Sequence, residues 1–165
     1  MGFSKMIELL QIKNKGKIVL ANSGTFYIAI GRDAVLLNEL LGLKVTCMSP
    51  EICKVGFPII SLEKYTDILQ EKGYSFIVYY FNRDTEELEI LIDYEGKHKN
   101  NTERQNINCY ICKHSTKYYK ADDKYVKAVA RLYAKENKEL QGKEENKKEE
   151  KKKWYKISQK KKKTN

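Results

Sequence analysis

Apolar positions along this chain follow two spacings in turn. Short β-branched or aromatic runs occur at Lys17 to Ala21, Ser23 to Gly31, Lys44 to Met48, Cys53 to Phe57, Ser75 to Phe81 and Leu88 to Tyr94. They are too brief for stable helices, and turn-forming residues punctuate most of them, so they read as strands. Within Ser23 to Gly31 the adjacent rings Phe26 and Tyr27 must point to opposite faces, because strand side chains alternate. Leu88, Ile90, Ile92 and Tyr94 alternate in the last run, which predicts one shared face and a hairpin with Ser75 to Phe81. Two segments carry the helical spacing instead. Arg32 to Leu41 aligns Ala34, Val35, Leu37, Leu40 and Leu41 and is followed by Gly42 as a left-handed cap; Leu62 to Lys72 aligns Leu62, Tyr65, Ile68 and Leu69, with Ser61 expected as N-cap and Gly73 as the stop. The patch Met6 to Ile12 fits either a helical turn or a first strand.

Strands alternating with amphipathic helices predict an α/β fold, a mixed sheet packed with helices, because each apolar stripe needs a sheet face to cover it. This body spans residues 1–95. A polar segment follows, and then a helix from Lys124 to about Leu140, capped by Asp122 or Asp123, with Val126, Val129, Ala130, Tyr133 and Leu140 on one side. Residues 96–141 therefore form an extension. Gly142 breaks the pattern, and the lysine-rich tail 142–165 reads as disordered or only transiently helical.

Charge sharpens this division. Of 165 residues, 32 are basic and 22 acidic, a formal net charge of +10. Residues 1–100 hold 12 basic and 13 acidic side chains, whereas residues 135–165 hold 13 and 6. A near-neutral body with a basic arm points to a polyanionic partner, DNA or RNA. No apolar run approaches the roughly 20 residues that span a bilayer, so no membrane association is expected and the protein reads as cytoplasmic. In that compartment Cys47, Cys53, Cys109 and Cys112 read as reduced thiols.

From Lys17 to Phe81 the order and spacing of short motifs resembles the N-terminal mismatch-recognition domain of MutS-type DNA mismatch repair proteins. An apolar strand leads into G-x-F-Y (Gly24, Thr25, Phe26, Tyr27), then D-A (Asp33, Ala34), L-G-L (Leu41, Gly42, Leu43) and G-x-P (Gly56, Phe57, Pro58). The series closes with Leu62, Glu63, Lys64, Tyr65 and with Glu71, Lys72, Gly73, Tyr74. The resemblance implies that Phe26 corresponds to the aromatic that wedges beside a mispaired base. The family's base-reading glutamate falls on Ile28, which has no hydrogen-bonding group, so any readout by this strand should depend on shape. No GxxxxGK[ST] loop occurs, and the chain is too short to hold the family's clamp, lever and ATPase domains. A free-standing, truncated relative is therefore implied, acting as an accessory module of a larger protein partner, with reverse-transcriptase-containing mobile elements as one setting.

Three further features carry chemistry. Lys113, Lys117, Lys120, Lys124, Lys127 and Arg131 interleave with Tyr118, Tyr119, Tyr125 and Tyr133, a combination that can hold phosphates and stack unpaired bases; on a helix the same residues can equally be core rings and solvated lysines. Lys160, Lys161, Lys162 and Lys163 add charge without sequence specificity. Cys109, Cys112 and His114 form half of a zinc site whose fourth ligand would be His98, Cys47 or Cys53; otherwise they lie in a strand from Ile107 to Lys113 and no cofactor is expected. No nucleophile, acid–base pair or nucleotide loop assembles, so the chain does not read as an enzyme. The reading is a non-catalytic nucleic-acid-binding accessory protein, with Phe26 and Tyr27 at its centre. The alternative is a protein-interaction subunit whose apolar Phe26, Tyr27 and Ile28 face a partner chain.

Overall fold

The computed structural model describes residues 2–49, 52–99 and 124–163. Among these, six strands form one sheet in the order β3-β4-β2-β1-β5-β6. They are β1 (Ile18–Ser23), β2 (Phe26–Ile30), β3 (Thr46–Ser49), β4 (Ile52–Pro58), β5 (Phe76–Asn82) and β6 (Glu87–Tyr94), joined by helices α1 (Gly2–Lys13), α2 (Gly31–Leu41), α3 (Leu62–Glu71) and α4 (Lys124–Lys163). Every neighbouring pair is antiparallel except β1 and β5, which run parallel. The mixed α/β architecture expected from the alternating patterns is therefore present, and the ambiguous patch at Met6 to Ile12 is helical.

The sheet is covered on both faces. On one, Ile18, Leu20, Tyr27, Ala29, Val55, Phe57, Phe76 and Val78 pack with Ala34 and Leu37 of α2 and Leu69 of α3. Each large apolar side chain fully withdrawn from water here contributes about 1.5–3 kcal/mol. On the other, α1 buries Met6, Ile7 and Leu10, and its Asn14 end donates a hydrogen bond to the hydroxyl of the buried Tyr79. Helix α2 stops where the sequence predicts, because Gly42 adopts φ 69° and its N–H closes on the Asn38 carbonyl. Ser61 takes the expected N-cap position of α3 without its capping bond, and it ends a 3-10 turn, Ile59–Ser61.

Strand β6 departs from its alternating pattern. Val78 pairs with Ile92 but Tyr79 pairs with Ile90, so Leu91 bulges out. Leu88 and Ile90 thereby share the α1 face, while Ile92 and Tyr94 pack with the α2 and α3 layer. The single face expected for these four residues is split into two by one unpaired residue.

The body also runs past Tyr94. Ser75 N–H donates to the His98 carbonyl at 3.0 Å and His98 N–H to the Gly73 carbonyl at 2.8 Å, and the ring of His98 lies 5.3 Å from that of Tyr74. Gly96 makes this approach possible. A Cβ there would sit 2.2 Å from the Gly73 carbonyl oxygen and 2.9 Å from the Tyr74 carbonyl carbon. Gly96→Ala should thus force backbone apart and cost at least the 1–3 kcal/mol typical of overpacking, about that much in a urea unfolding titration. An unchanged midpoint would show that the bridge is dispensable.

The chain divides into two compact units, Met1–Val129 and Ala130–Asn165. In the first, the start of α4 turns Tyr125 inward, its ring 4.9 Å from Phe81 and 5.9 Å edge-on from Phe3, and buries Ala128 and Val129. Of the stripe expected through Val126, Val129, Ala130, Tyr133 and Leu140, Val129 is buried, whereas Ala130, Tyr133 and Leu140 are exposed, and Tyr125 is the ring that fills the site beside Phe81. In the second unit the helix continues through Gly142 to Lys163, over a stretch whose composition reads as disordered or only transiently helical. Side chains cannot explain this by burial, since most are exposed. Spacing can: Glu139 to Lys143, Glu144 to Lys148 and Glu149 to Lys153 each place a carboxylate one turn before an ammonium, the favourable i,i+4 order.

Candidate nucleic-acid interface

The turn Gly24–Thr25 reverses the chain between β1 and β2, with Gly24 at φ 60°. Phe26 is the first residue of β2, directly opposite Ser23 on one side and Pro58 on the other, and it stays 46% exposed. Tyr27 points the other way. It is 3% exposed, with its ring 6.1 Å from Phe57, which in turn lies 4.8 Å from Tyr65. Burial, with Tyr80 nearby, pushes the Tyr27 phenol above its ordinary range. Tyr27 is thus a core residue, withdrawn from any surface partner, and the expectation that it shares nucleic-acid contact with Phe26 is corrected.

Ile28 is 7% exposed on the same face as Phe26 and stands opposite Ala21 and Gly56. A Cβ on Gly56 would lie 3.6 Å from Ile28 Cγ1, in ordinary van der Waals contact, so Ile28 packs directly against the Gly56 position. The strand consequently offers an accessible ring with an enclosed apolar residue two positions on.

Pattern reading missed three residues of this rim. Ile59 N–H donates to the Thr25 carbonyl at 2.9 Å, which ties the end of β4 to the β1–β2 turn. That contact sets Ile59, 38% exposed, and Ile60, 93% exposed, near Phe26. Arg83 Nη2 comes within 4.0 Å of the Cβ position of Gly24. The available signal was that Ile59 and Ile60 follow Pro58 outside the apolar stripe of α3, leaving two large side chains without a helical partner.

Phe26 also belongs to a row. Pro58, Phe26 and Ser23 are register partners; two residues beyond the Ala21–Tyr79 pair, Ser23 leads to Phe81, which pairs with Leu88. Residues opposite one another share a face, so Phe26 and Phe81 lie on the same side of the sheet, about 10 Å apart across two strand spacings. Phe81 is where Tyr125 docks. Lys124, exposed, has its Nζ 5.2 Å from the centroid of that ring, whereas Lys127, also exposed, lies two residues beyond Tyr125 and projects to the opposite side of the helix. An exposed aromatic and one ammonium group are thereby brought to one end of one face.

The other expected contacts are less concentrated. Arg131 and Lys160 are exposed on α4 in the second unit, and Lys161, Lys162 and Lys163 are helical. Lys113, Lys117, Tyr118, Tyr119 and Lys120, and the zinc half-site Cys109, Cys112 and His114, lie outside the described residues. Among the described residues, no three metal-binding side chains cluster. Cys47 and Cys53 stand opposite one another in the β3–β4 pair, and Cys53 Sγ donates to the Gly31 carbonyl at 3.8 Å.

A mixed sheet with helices on both faces, entered by a G-x-F-Y turn and strand whose phenylalanine stands at the rim, defines a mismatch-recognition-type α/β domain. The family model for MutS domain I matches residues 3–117, and the chain belongs to that family. The match extends beyond the Lys17 to Phe81 motifs at both ends, taking in α1. Among characterised proteins, the chain is similar to the mitochondrial DNA mismatch repair protein MSH1 of Arabidopsis thaliana, 39% identical over 75 residues, which is 43% of this chain and 7% of the relative. No helix among the described residues is long and apolar enough to cross a membrane.

Proposed function

We propose that the protein is a non-catalytic accessory factor that binds DNA at distorted or mispaired sites, with Phe26 entering the weakened base step and Lys124 holding an adjacent phosphate. The observation that carries this reading is the shared row: a half-exposed phenyl ring on the same sheet face as the docked, lysine-bearing start of α4. A rigid apolar ring can replace stacking lost at a kinked step, and mispaired steps are cheaper to open than paired ones. Ile59 and Ile60 add apolar surface beside that ring, and Arg83 adds a charge. Because Ile28 supplies no hydrogen bond, discrimination rests on deformability of the duplex and is insensitive to which bases are mispaired. The body, close to neutral, contributes little non-specific affinity; the basic helix supplies it.

The test is anisotropy titration of matched and mismatched duplexes of equal length. The wild-type protein should prefer the mismatch by about ten-fold, equivalent to about 1.4 kcal/mol. Phe26→Ala should abolish the preference while leaving matched-duplex affinity within about two-fold. Since Phe26 is half exposed, the variant should fold normally. A preference that survives in folded Phe26→Ala protein removes the wedge.

A further inference from the structure

The far end of α4 presents two aromatic rings that the fold does not use. Trp154 is 73% and Tyr155 65% exposed, and Gln159 Nε2 donates to the Tyr155 hydroxyl at 3.0 Å, one turn further on. Around them Lys151, Lys152, Lys153, Lys156 and Lys160 are all exposed, and no acidic residue occurs after Glu150. At about 100° per residue, Lys151 projects between Trp154 and Tyr155, one turn before both.

We propose that this segment is a second binding site, selective for unpaired nucleotides of single-stranded nucleic acid. The inference rests on the nucleic-acid reading above and shares with it only the charge of the basic helix, not the residues around Phe26. Successive bases can stack on the Trp154 indole and the Tyr155 phenol, while Lys151 between them and the lysines at either side meet the backbone phosphates. Stacking requires an open π-face, which a paired duplex does not offer, so the site favours single strands. A lipid surface fits less well. Only Trp154, Tyr155 and Ile157 are apolar between Lys151 and Lys160, and Lys151 interrupts the arc they would have to bury in the acyl boundary.

Trp154 is the only tryptophan of the chain, so its fluorescence reports on this site alone. The full-length protein is titrated with oligo(dT), oligo(U), a blunt duplex of equal length and vesicles containing anionic phosphatidylglycerol. Stacking predicts saturable quenching by oligo(dT) or oligo(U) and little change with the duplex. Trp154→Ala with Tyr155→Ala should weaken single-strand binding, followed by anisotropy of a labelled oligonucleotide, by about ten- to hundred-fold. Trp154→Phe should recover most of it. Circular dichroism establishes that the variants keep their helix. Unchanged emission while the labelled strand binds, or a blue shift with vesicles and none with oligonucleotides, would overturn the site. Neither result bears on Phe26, whose loss of mismatch preference is read on duplexes.

Discussion

Replacing the eight lysines between 151 and 163 with glutamine is expected to remove most of the protein's affinity for any nucleic acid at low salt and to flatten its salt dependence. Each phosphate neutralised on B-DNA adds about −0.9 to the slope of log K against log[salt], and six to ten such contacts are worth roughly 10³–10⁵ in affinity between 50 and 200 mM salt. The neutral body cannot supply a slope of that size. Glutamine and lysine have similar helix propensities, so α4 should persist. The comparison is a salt series by anisotropy for wild type, the Lys→Gln variant and a Lys→Arg variant, the last retaining both affinity and slope. If the Lys→Gln protein keeps the wild-type slope, the electrostatic contact lies elsewhere, with Lys124 and Lys127 the next to test. Deleting everything from Ala121 onward is a poorer experiment, because it also strips Tyr125 from its seat between Phe81 and Phe3.

Asp33→Ala should be the most damaging single substitution in the body, at about 3–5 kcal/mol of unfolding free energy. The carboxylate is fully buried in the first turn of α2. It accepts from Gln11 Nε2 at 2.8 Å and from Val19 N–H at 3.0 Å, and lies 3.6 Å from Arg32 Nε. Gln11 also donates to the Ile30 carbonyl. One side chain therefore joins α1, β1 and α2 at the point where β2 gives way to helix and can no longer satisfy Val19. Alanine would strand two buried donors, each costing about 1–3 kcal/mol. Asp33→Asn keeps an acceptor oxygen and should lose less. Urea titration of both variants decides the matter; an alanine variant as stable as wild type would mean that water replaces the carboxylate.

Legibility followed the range of the interactions involved. Helices α2 and α3 could be read because their stripes and glycine stops are local, and the strands because their runs are short and bounded. That Phe26 and Tyr27 face opposite ways was legible; which of them faces out was not, since that depends on Phe57 and Tyr65 from other elements reaching Tyr27. The bulge at Leu91 is invisible in β6 alone because it is a relation between two strands. In Asp33 the sequence shows only a motif residue, whereas its partners lie 14 and 22 positions away. The distal part of α4 was hard to read for a different reason. Its poverty in apolar residues signals disorder when composition is read alone, yet the glutamate-to-lysine spacing that supports the helix lies within single turns.

The change of side in β6 has a mechanical consequence. Leu88 is anchored in the layer beneath α1, and Ile92 and Tyr94 in the layer beneath α2 and α3. A strand that threads both layers acts as a stitch: loosening either side slackens the segment on which the other depends. The body is therefore expected to unfold in a single transition, with both faces lost together.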